Sequence, residues 1–245
     1  MSNFLFFFFL FFITIVSVVS IQHGFEEDVF KTSQADLKIT FLGHGTLMFR
    51  FGEKIIYIDP VSQYGDFSQL PKANLVFITH EHGDHFDQSV IELISEKETD
   101  IILTEKCAEK SDKGIVMKNG DTKIVQGLKL EAVPAYNIVH MRSPNVPFHA
   151  KGEGNGYVVT FGDKRVYIAG DTENIPEMKE LRNIEIAFLP MNLPYTMTPQ
   201  MVADAAKIFK PKILYPYHYG QTDTSKVVQL LNDIKEIEVR IRKMN

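Results

Sequence analysis

The sequence NLVFITHEHGDH, residues 74–85, decides the fold, because it joins a buried strand directly to a cluster of ligand-type side chains. Residues 74–79 form a continuous apolar run, the pattern of a strand that is buried on both faces. Three histidines and an aspartate follow within a loop that contains Gly83. Imidazole and carboxylate groups without a thiolate suit zinc and other late first-row metals, and they leave room for water. The candidate metal ligands are His80, His82, Asp84 and His85.

Two later strands also end in ligand-type residues. Asp171 follows the predicted strand 165–169, and His218 follows the predicted strand 212–216. Taken alone, Asp171 could form a turn or a helix cap, and His218 could be a buried histidine with satisfied hydrogen bonds. Three strand ends that each carry such residues are typical of the active-site edge of an α/β protein. From its position, Asp171 could bridge two cations.

Short strand patterns alternate with turns from residue 37 onward. The strands predicted at 37–42, 46–51 and 54–58 indicate an antiparallel meander. Thr198 and Pro199 supply an N-cap and a proline at the first position of a helix over 198–209. Further helices are predicted at 87–97 and 225–234, and further strands at 101–103, 128–134, 157–161, 184–189 and 238–241. No low-complexity linker interrupts residues 37–245, which predicts one α/β domain preceded by a leader segment over residues 22–36.

Residues 4–21, FLFFFFLFFITIVSVVSI, form a separate apolar segment without a charged side chain. The segment resembles the core of a secretory signal peptide over residues 1–21, and its cleavage near residue 20 would leave an exported, periplasmic or extracellular protein. A length of about 18 residues also allows an uncleaved membrane anchor. Contact with a membrane is expected only through residues 4–21.

Composition excludes several classes of protein. Hydrophobic residues make up 44% and charged residues 23% of the 245 residues, a balance typical of globular proteins. The net charge of −5 argues against binding to a nucleic-acid backbone. The single cysteine, Cys107, excludes an internal disulfide and a multi-cysteine zinc finger. The expected partner is a small-molecule or lipid-like substrate, and the oligomeric state stays open.

The motif His80-x-His82-x-Asp84-His85 resembles the metallo-β-lactamase superfamily, as do Gly170-Asp171-Thr172 and Tyr217-His218. Residues 42–46, 134–137 and 217–220 resemble the branch of β-lactamase-like hydrolases that includes the UlaG-type lactonases and N-acyl-phosphatidylethanolamine phospholipase D. The resemblance covers residues 37–240. It implies an αββα four-layer sandwich with metal ions at one edge, between the two sheets.

The resemblance also implies the role of each ligand. His80 and His82 would bind the first metal, and Asp84, His85 and His218 the second, with Asp171 between them. It implies a hydrolase in which two divalent ions activate a water that cleaves an ester, lactone or phosphodiester bond. Zinc is expected, although manganese, iron and nickel suit the same donors. Asp84 and Asp171 are the candidate catalytic carboxylates. The alternative is a metal-binding protein of the same fold with a degraded, non-hydrolytic site.

One ligand of the first metal is missing from its expected place. The family usually has a histidine after the strand 128–134, where this chain has Asn137. His140 and His149 follow within a predicted loop over 138–156, and His149 is favoured as the replacement ligand or as a substrate contact. The alternative is that both are exposed loop histidines. Candidates for orienting the imidazoles are His44, Asp59 and Glu81.

Overall fold

The computed structural model describes residues 24–244, so the predicted signal peptide or anchor lies outside the described residues. Within 24–244 the chain forms two seven-stranded sheets and one small two-stranded hairpin. No helix in this range is long and apolar enough to cross a membrane.

The first sheet is built in chain order. Its strands are β1 (Glu26–Phe30), β2 (Leu37–Gly43), β3 (Thr46–Phe51), β4 (Lys54–Ile58), β5 (Leu75–Phe77), β6 (Asp100–Leu103) and β7 (Ile115–Val116). Strands β1 to β4 pair antiparallel, which confirms the predicted meander, and β4 to β7 pair parallel. The apolar run at 74–79 therefore supplies an inner strand with both faces buried, as predicted.

The second sheet follows in the sequence. The next strands are β8 (Thr122–Val125), β9 (Leu128–Ala135), β10 (Met141–Ser143), β11 (Val146–Pro147), β12 (Gly154–Phe161), β13 (Lys164–Ile168), β14 (Ile186–Pro190), β15 (Ile213–Tyr217) and β16 (Glu238–Val239). Their order in the sheet is β16-β15-β14-β13-β12-β9-β8, and β13 to β16 are parallel neighbours. Strands β10 and β11 form the small hairpin inside the predicted loop.

Helices cover the outer face of each sheet. They are α1 (Gln88–Ile94), α2 (Glu105–Ala108), α3 (Pro199–Phe209) and α4 (Ser225–Leu231). Thr198 caps α3 as predicted, because its hydroxyl accepts a hydrogen bond from the Met201 amide. Buried residues of α3 and α4 pack on the second sheet, and those of α1 pack on the first. The layers are thus helix, sheet, sheet and helix.

The main core lies between the two sheets. Phe49 of the first sheet has its ring centroid 6.0 Å from that of Phe188 and 5.8 Å from that of Phe161, both on the second sheet. Phe188 also contacts the rings of Phe41, Tyr215 and Tyr217, and its side chain is fully buried. Burial of these aromatic surfaces fixes the two sheets face to face.

Strand β1 lies within residues 22–36, so part of this range belongs to the folded domain rather than to a leader. Residues 26–30 pair with β2 as an edge strand of the first sheet. Both carboxylate oxygens of Asp28 lie 2.7 Å from Nη2 of Arg242, and the Lys243 amide donates to Glu26. The partners of Asp28 and Glu26 come from the opposite end of the chain, which no local pattern reveals.

Because the core rings are fully buried, removing one of them should greatly lower the free energy of unfolding. Phe188→Ala should lower the free energy of unfolding by about 3–5 kcal/mol, because it removes a fully buried aromatic side chain and leaves a cavity. Urea titration followed by circular dichroism measures this value. Ile124→Ala is the control, since Ile124 is 77% exposed and should change stability by less than about 0.5 kcal/mol. Equal effects of the two substitutions would contradict this account of the core.

Candidate metal centre

The topology brings the candidate ligands to one edge of the sandwich. His80 to His85 follow β5, Asp171 follows β13, and His218 follows β15. Because β13, β14 and β15 run parallel, their carboxyl ends meet at the same sheet edge. Asn155 of the second sheet donates its backbone amide to the carbonyl of Thr79, so the end of β5 is joined to that edge.

A first group of ligands consists of His80, His82 and His149, whose ligand nitrogens lie within 4.8 Å of one another. Nε2 of His149 is 3.2 Å from Oδ2 of Asp171, and Nε2 of His80 is 3.9 Å from the same oxygen. The loop histidine His149 therefore stands beside the two histidines of the motif.

A second group consists of Asp84, His85 and His218, with His44 next to them. Oδ2 of Asp84 lies 3.8 Å from Nε2 of His85 and 3.6 Å from Nε2 of His218. The same two nitrogens lie 3.6 Å and 3.5 Å from Oδ1 of Asp171. Asp171 thus directs one oxygen to each group, which is the arrangement of a bridging carboxylate.

Unpaired buried atoms indicate what the two groups are built to bind. Among the described residues, Nε2 of His80, His85 and His218 and Oδ1 of Asp171 are buried without a hydrogen-bond partner. Buried polar atoms are almost always paired, so four orphans that face each other require an explanation. Divalent cations would satisfy all four atoms, and five imidazoles with two carboxylates are a donor set that such cations accept. The residues present therefore fit a pair of adjacent metal ions.

Burial keeps the imidazoles of His80 and His82 in the form that metals need. Desolvation lowers the pKa of His80 well below its ordinary value and also lowers the pKa of His82. A neutral imidazole offers a free lone pair, whereas a protonated one must lose its proton before it binds a metal. Both histidines are thus prepared as ligands at neutral pH.

Asp59 orients the imidazoles from behind, as the sequence suggested. Its buried carboxylate lies 2.7 Å from Nδ1 of His85 and accepts hydrogen bonds from the amide and the hydroxyl of Thr79. The same hydroxyl lies 3.0 Å from Nδ1 of His80. With both Nδ1 atoms engaged, Nε2 of each imidazole points to the metal site.

The position of Asn137 suggested a metal ligand, but its side chain instead orients the imidazole of His149. Its Oδ1 accepts from the backbone amide of His149 at 2.9 Å and lies 2.7 Å from Nδ1 of that residue. Asn137 therefore aims Nε2 of His149 toward Asp171. The other loop histidine, His140, lies 2.6 Å from the carboxylate of Glu173, and it is not part of either ligand group.

Sequence reasoning missed Glu173. Its carboxylate is fully buried and accepts hydrogen bonds at 2.7 Å from three successive backbone amides, those of residues 138, 139 and 140. It also accepts from Nδ2 of Asn137. Although burial opposes its charged form, these donors lower the pKa of Glu173, so the carboxylate stays ionised and holds the loop. The available signal was an acidic residue only two positions after Asp171.

His44 and Glu81, the other two residues proposed to orient the imidazoles, lie in different surroundings. His44 lies with Nε2 3.2 Å from Oδ2 of Asp84, and its ring stacks on Tyr64. Glu81 instead faces Lys106, at 3.6 Å, so the expectation that Glu81 orients an imidazole is not supported.

Comparison with known proteins gives the family context of this site. A family model described as beta-lactamase superfamily domain matches residues 38–218. A UPF0173 metal-dependent hydrolase from Thermus thermophilus is 31% identical over 195 residues, which cover 75% of this chain and 84% of the relative. A UPF0173 metal-dependent hydrolase from Pelotomaculum thermopropionicum is 28% identical over 195 residues, covering 75% and 85%.

Solved structures show the same architecture. A structure from Parabacteroides distasonis, described as that of a metal-dependent hydrolase, is 49% identical with a TM-score of 0.86 and covers 90% of this chain and 100% of its own. Igni18, a metallo hydrolase from Ignicoccus hospitalis, is 24% identical with a TM-score of 0.68, covering 85% and 96%. These similarities confirm the predicted four-layer α/β sandwich.

The network behind His80 and His85 predicts a loss of metal affinity on Asp59→Asn. The asparagine amide cannot accept all three hydrogen bonds of the carboxylate, so both imidazoles lose their fixed orientation. Zinc affinity, measured by competition with a chromophoric chelator, should fall about 10–100-fold. Asp36→Asn is the control, because Asp36 is exposed and pairs with Lys31. Unchanged affinity in a folded Asp59→Asn chain would contradict the assigned role.

Asn137→Ala tests the orientation of the loop ligand. Without Oδ1, the imidazole of His149 loses the partner of its Nδ1, and we expect about 10–100-fold weaker binding of one metal equivalent while the other binds normally. Titration calorimetry with zinc resolves the two equivalents. Ser143→Ala, at an exposed position of β10 in the same loop, should leave both unchanged. A uniform loss at both equivalents would mean that Asn137 supports the whole edge.

Proposed function

The chain belongs to the beta-lactamase superfamily and is a metal-dependent hydrolase, and from this premise we propose that it cleaves an ester, lactone or phosphodiester bond with two divalent ions held side by side. The observation that carries the proposal is Asp171, whose two oxygens face different groups of imidazoles. A carboxylate whose two oxygens each face a separate group of imidazoles is placed to serve two ions.

Seven side chains would hold the ions. His80, His82 and His149 would bind one ion together with Oδ2 of Asp171, and Asp84, His85 and His218 would bind the other together with Oδ1. Zinc is the proposed metal because imidazole nitrogens dominate the donor set. When bound, such ions lower the pKa of water and polarise a carbonyl or phosphoryl oxygen.

Asp84 is the side chain best placed to move a proton. It is 44% exposed, whereas Asp171 is 4% exposed and surrounded by imidazoles. The Asp84 carboxylate therefore borders both the ligand cluster and the solvent from which a water arrives, and it can accept the proton of that water. Nε2 of His44, 3.2 Å from Oδ2 of Asp84, can steady this carboxylate or receive the proton from it.

The chain offers water rather than its own thiol as the nucleophile. Cys107 is fully buried under the first sheet, and burial raises the pKa of its thiol to about 11, so it stays protonated at neutral pH. A narrow cleft beside the first ligand group, with room for about one water molecule, is lined by His82, Phe148 and Glu153 among other residues. A substrate that covers the mouth of this cleft would present its scissile bond to the ligand groups.

The proposal is tested by metal content and turnover together. The purified chain should bind two zinc equivalents by elemental analysis and hydrolyse at least one of p-nitrophenyl butyrate, γ-butyrolactone and bis(p-nitrophenyl) phosphate. Asp84→Asn should lower kcat by about 10²–10⁴-fold, the usual contribution of a positioned proton acceptor. Asp112→Asn, at an exposed loop position, is the control and should keep both properties.

Two results would contradict the proposal. Undiminished turnover after dialysis against a chelator would show that the metal ions are not needed. Two tightly bound equivalents without turnover of any of the three compounds would favour the alternative of a metal-binding protein without hydrolysis.

A further inference from the structure

Exposed apolar side chains surround the metal cluster on one side. Of the eleven large hydrophobic residues that are exposed within residues 24–244, six lie on two segments next to His149. We call these six the apolar rim: Ile138, Val139, Met141, Val146, Leu193 and Tyr195. The rim is therefore a concentrated feature of this edge rather than part of an even scatter of apolar residues.

The two segments of the apolar rim touch each other and the ligand cluster. Phe148, the neighbour of the ligand His149, has its ring centroid 5.0 Å from that of Tyr195. Nδ2 of Asn137 donates to the carbonyl of Tyr195 at 2.8 Å. The two segments that carry the apolar rim are thus in contact, and Asn137, the residue that orients His149, joins them.

This surface is also almost free of charge. Residues 137–149 and 191–197 contain a single formally charged side chain, Arg142, although charged residues make up 23% of the chain. The guanidinium of Arg142 is exposed and lies 5.9 Å from the centre of the Phe148 ring. Apolar side chains with a basic residue and no acidic residue are the composition of protein surfaces that lie in a lipid interface.

The apolar N-terminal segment joins the described chain at the same edge. Glu26 of β1 pairs with Phe41 of β2, so β1 begins where β2 ends, beside His44. Three peptide units separate residue 21 from Gly24, which places the end of the apolar segment within about 11 Å of Gly24. A row of neighbouring rings crosses the edge from this point to the apolar rim. In order, the rings belong to Tyr64, His44, His218, His85, His80 and His149.

We propose that this edge of the sandwich rests on a lipid bilayer, with residues 4–21 as the anchor and the apolar rim inserted at the boundary of headgroups and acyl chains. The occupant is a bilayer because an apolar segment of about 18 residues, enough to span one, ends within about 11 Å of Gly24, which lies at this edge. The metal cluster then faces the membrane surface. Where the proposed hydrolysis also holds, its substrate is a lipid or another amphipathic molecule in that surface.

The absence of tryptophan from the sequence allows a direct test. The full chain is reconstituted in vesicles of phosphatidylcholine and phosphatidylglycerol whose acyl chains carry bromine near the headgroup, which quenches indole fluorescence. Val139→Trp and Val146→Trp each place a single fluorophore in the apolar rim. Interfacial side chains reach about 5–10 Å into the bilayer, so we expect blue-shifted emission that loses most of its intensity with brominated lipid.

Ile124→Trp is the matched control. Ile124 is 77% exposed on β8 and pairs with Lys129 at the start of β9, at the opposite end of that strand from Asn137. Its emission should be the same with brominated and ordinary lipid. If neither rim variant is quenched more than this control, the proposal is wrong.

Two further outcomes would also overturn it. Blue-shifted emission of the rim variants that appears without lipid and grows with protein concentration would mean that a second copy covers the rim. An intact mass that shows residues 4–21 removed from the membrane-bound chain would exclude the anchor. Because quenching requires no turnover, an Asp84→Asn chain must give the same pattern, which separates this proposal from the proposed hydrolysis.

Discussion

The buried carboxylate of Asp171 is the group on which the arrangement of this edge depends. An ionised carboxylate that is 4% exposed would destabilise the fold by several kcal/mol if no positive charge stood near it. The imidazoles of three different chain segments face it, and the cations they could hold would supply the missing charge. Gly170 makes the approach possible: its φ is +65°, and a side chain there would lie 2.9 Å from the Asn155 carbonyl and 3.0 Å from Thr79. The pairing between the two sheets and the position of the carboxylate are therefore linked.

The third candidate ligand of the first group comes from a loop rather than from a strand end. The strand end offers Asn137, whose neutral carbonyl oxygen is a weak ligand, and the loop that follows offers His149. A histidine on a loop needs its backbone fixed to be a useful ligand, since loops are more mobile than strands. Glu173 provides that restraint by binding three successive amides at the start of the loop. The asparagine thus acts on the ligand rather than on the metal.

Sequence reasoning located most of the edge because strand ends and ligand chemistry are both local properties. The run at 74–79, the motif from His80 to His85, and the positions of Asp171 and His218 each follow from a few adjacent residues. Sequence reasoning did not predict strand β1 or the role of Glu173, and the reason is the same for both. Asp28 is satisfied by Arg242, and Glu173 by amides more than 30 residues earlier, so both acidic residues look solvated until the chain is folded. The choice between His140 and His149 likewise depends on which imidazole the folded loop turns inward.

The hairpin of β10 and β11 carries two unrelated properties on one short segment. It presents Met141 and Val146 to the outside, and it delivers His149 to the ligand cluster. Surface loops usually change length and composition freely during divergence, because nothing beneath them depends on their path. Here an insertion or deletion that altered the outer surface would also displace a ligand, so the two properties must be inherited together. The exposed turn between the two strands, residues 144 and 145, carries neither property, and the left-handed backbone of Asn145 favours asparagine, aspartate or glycine there.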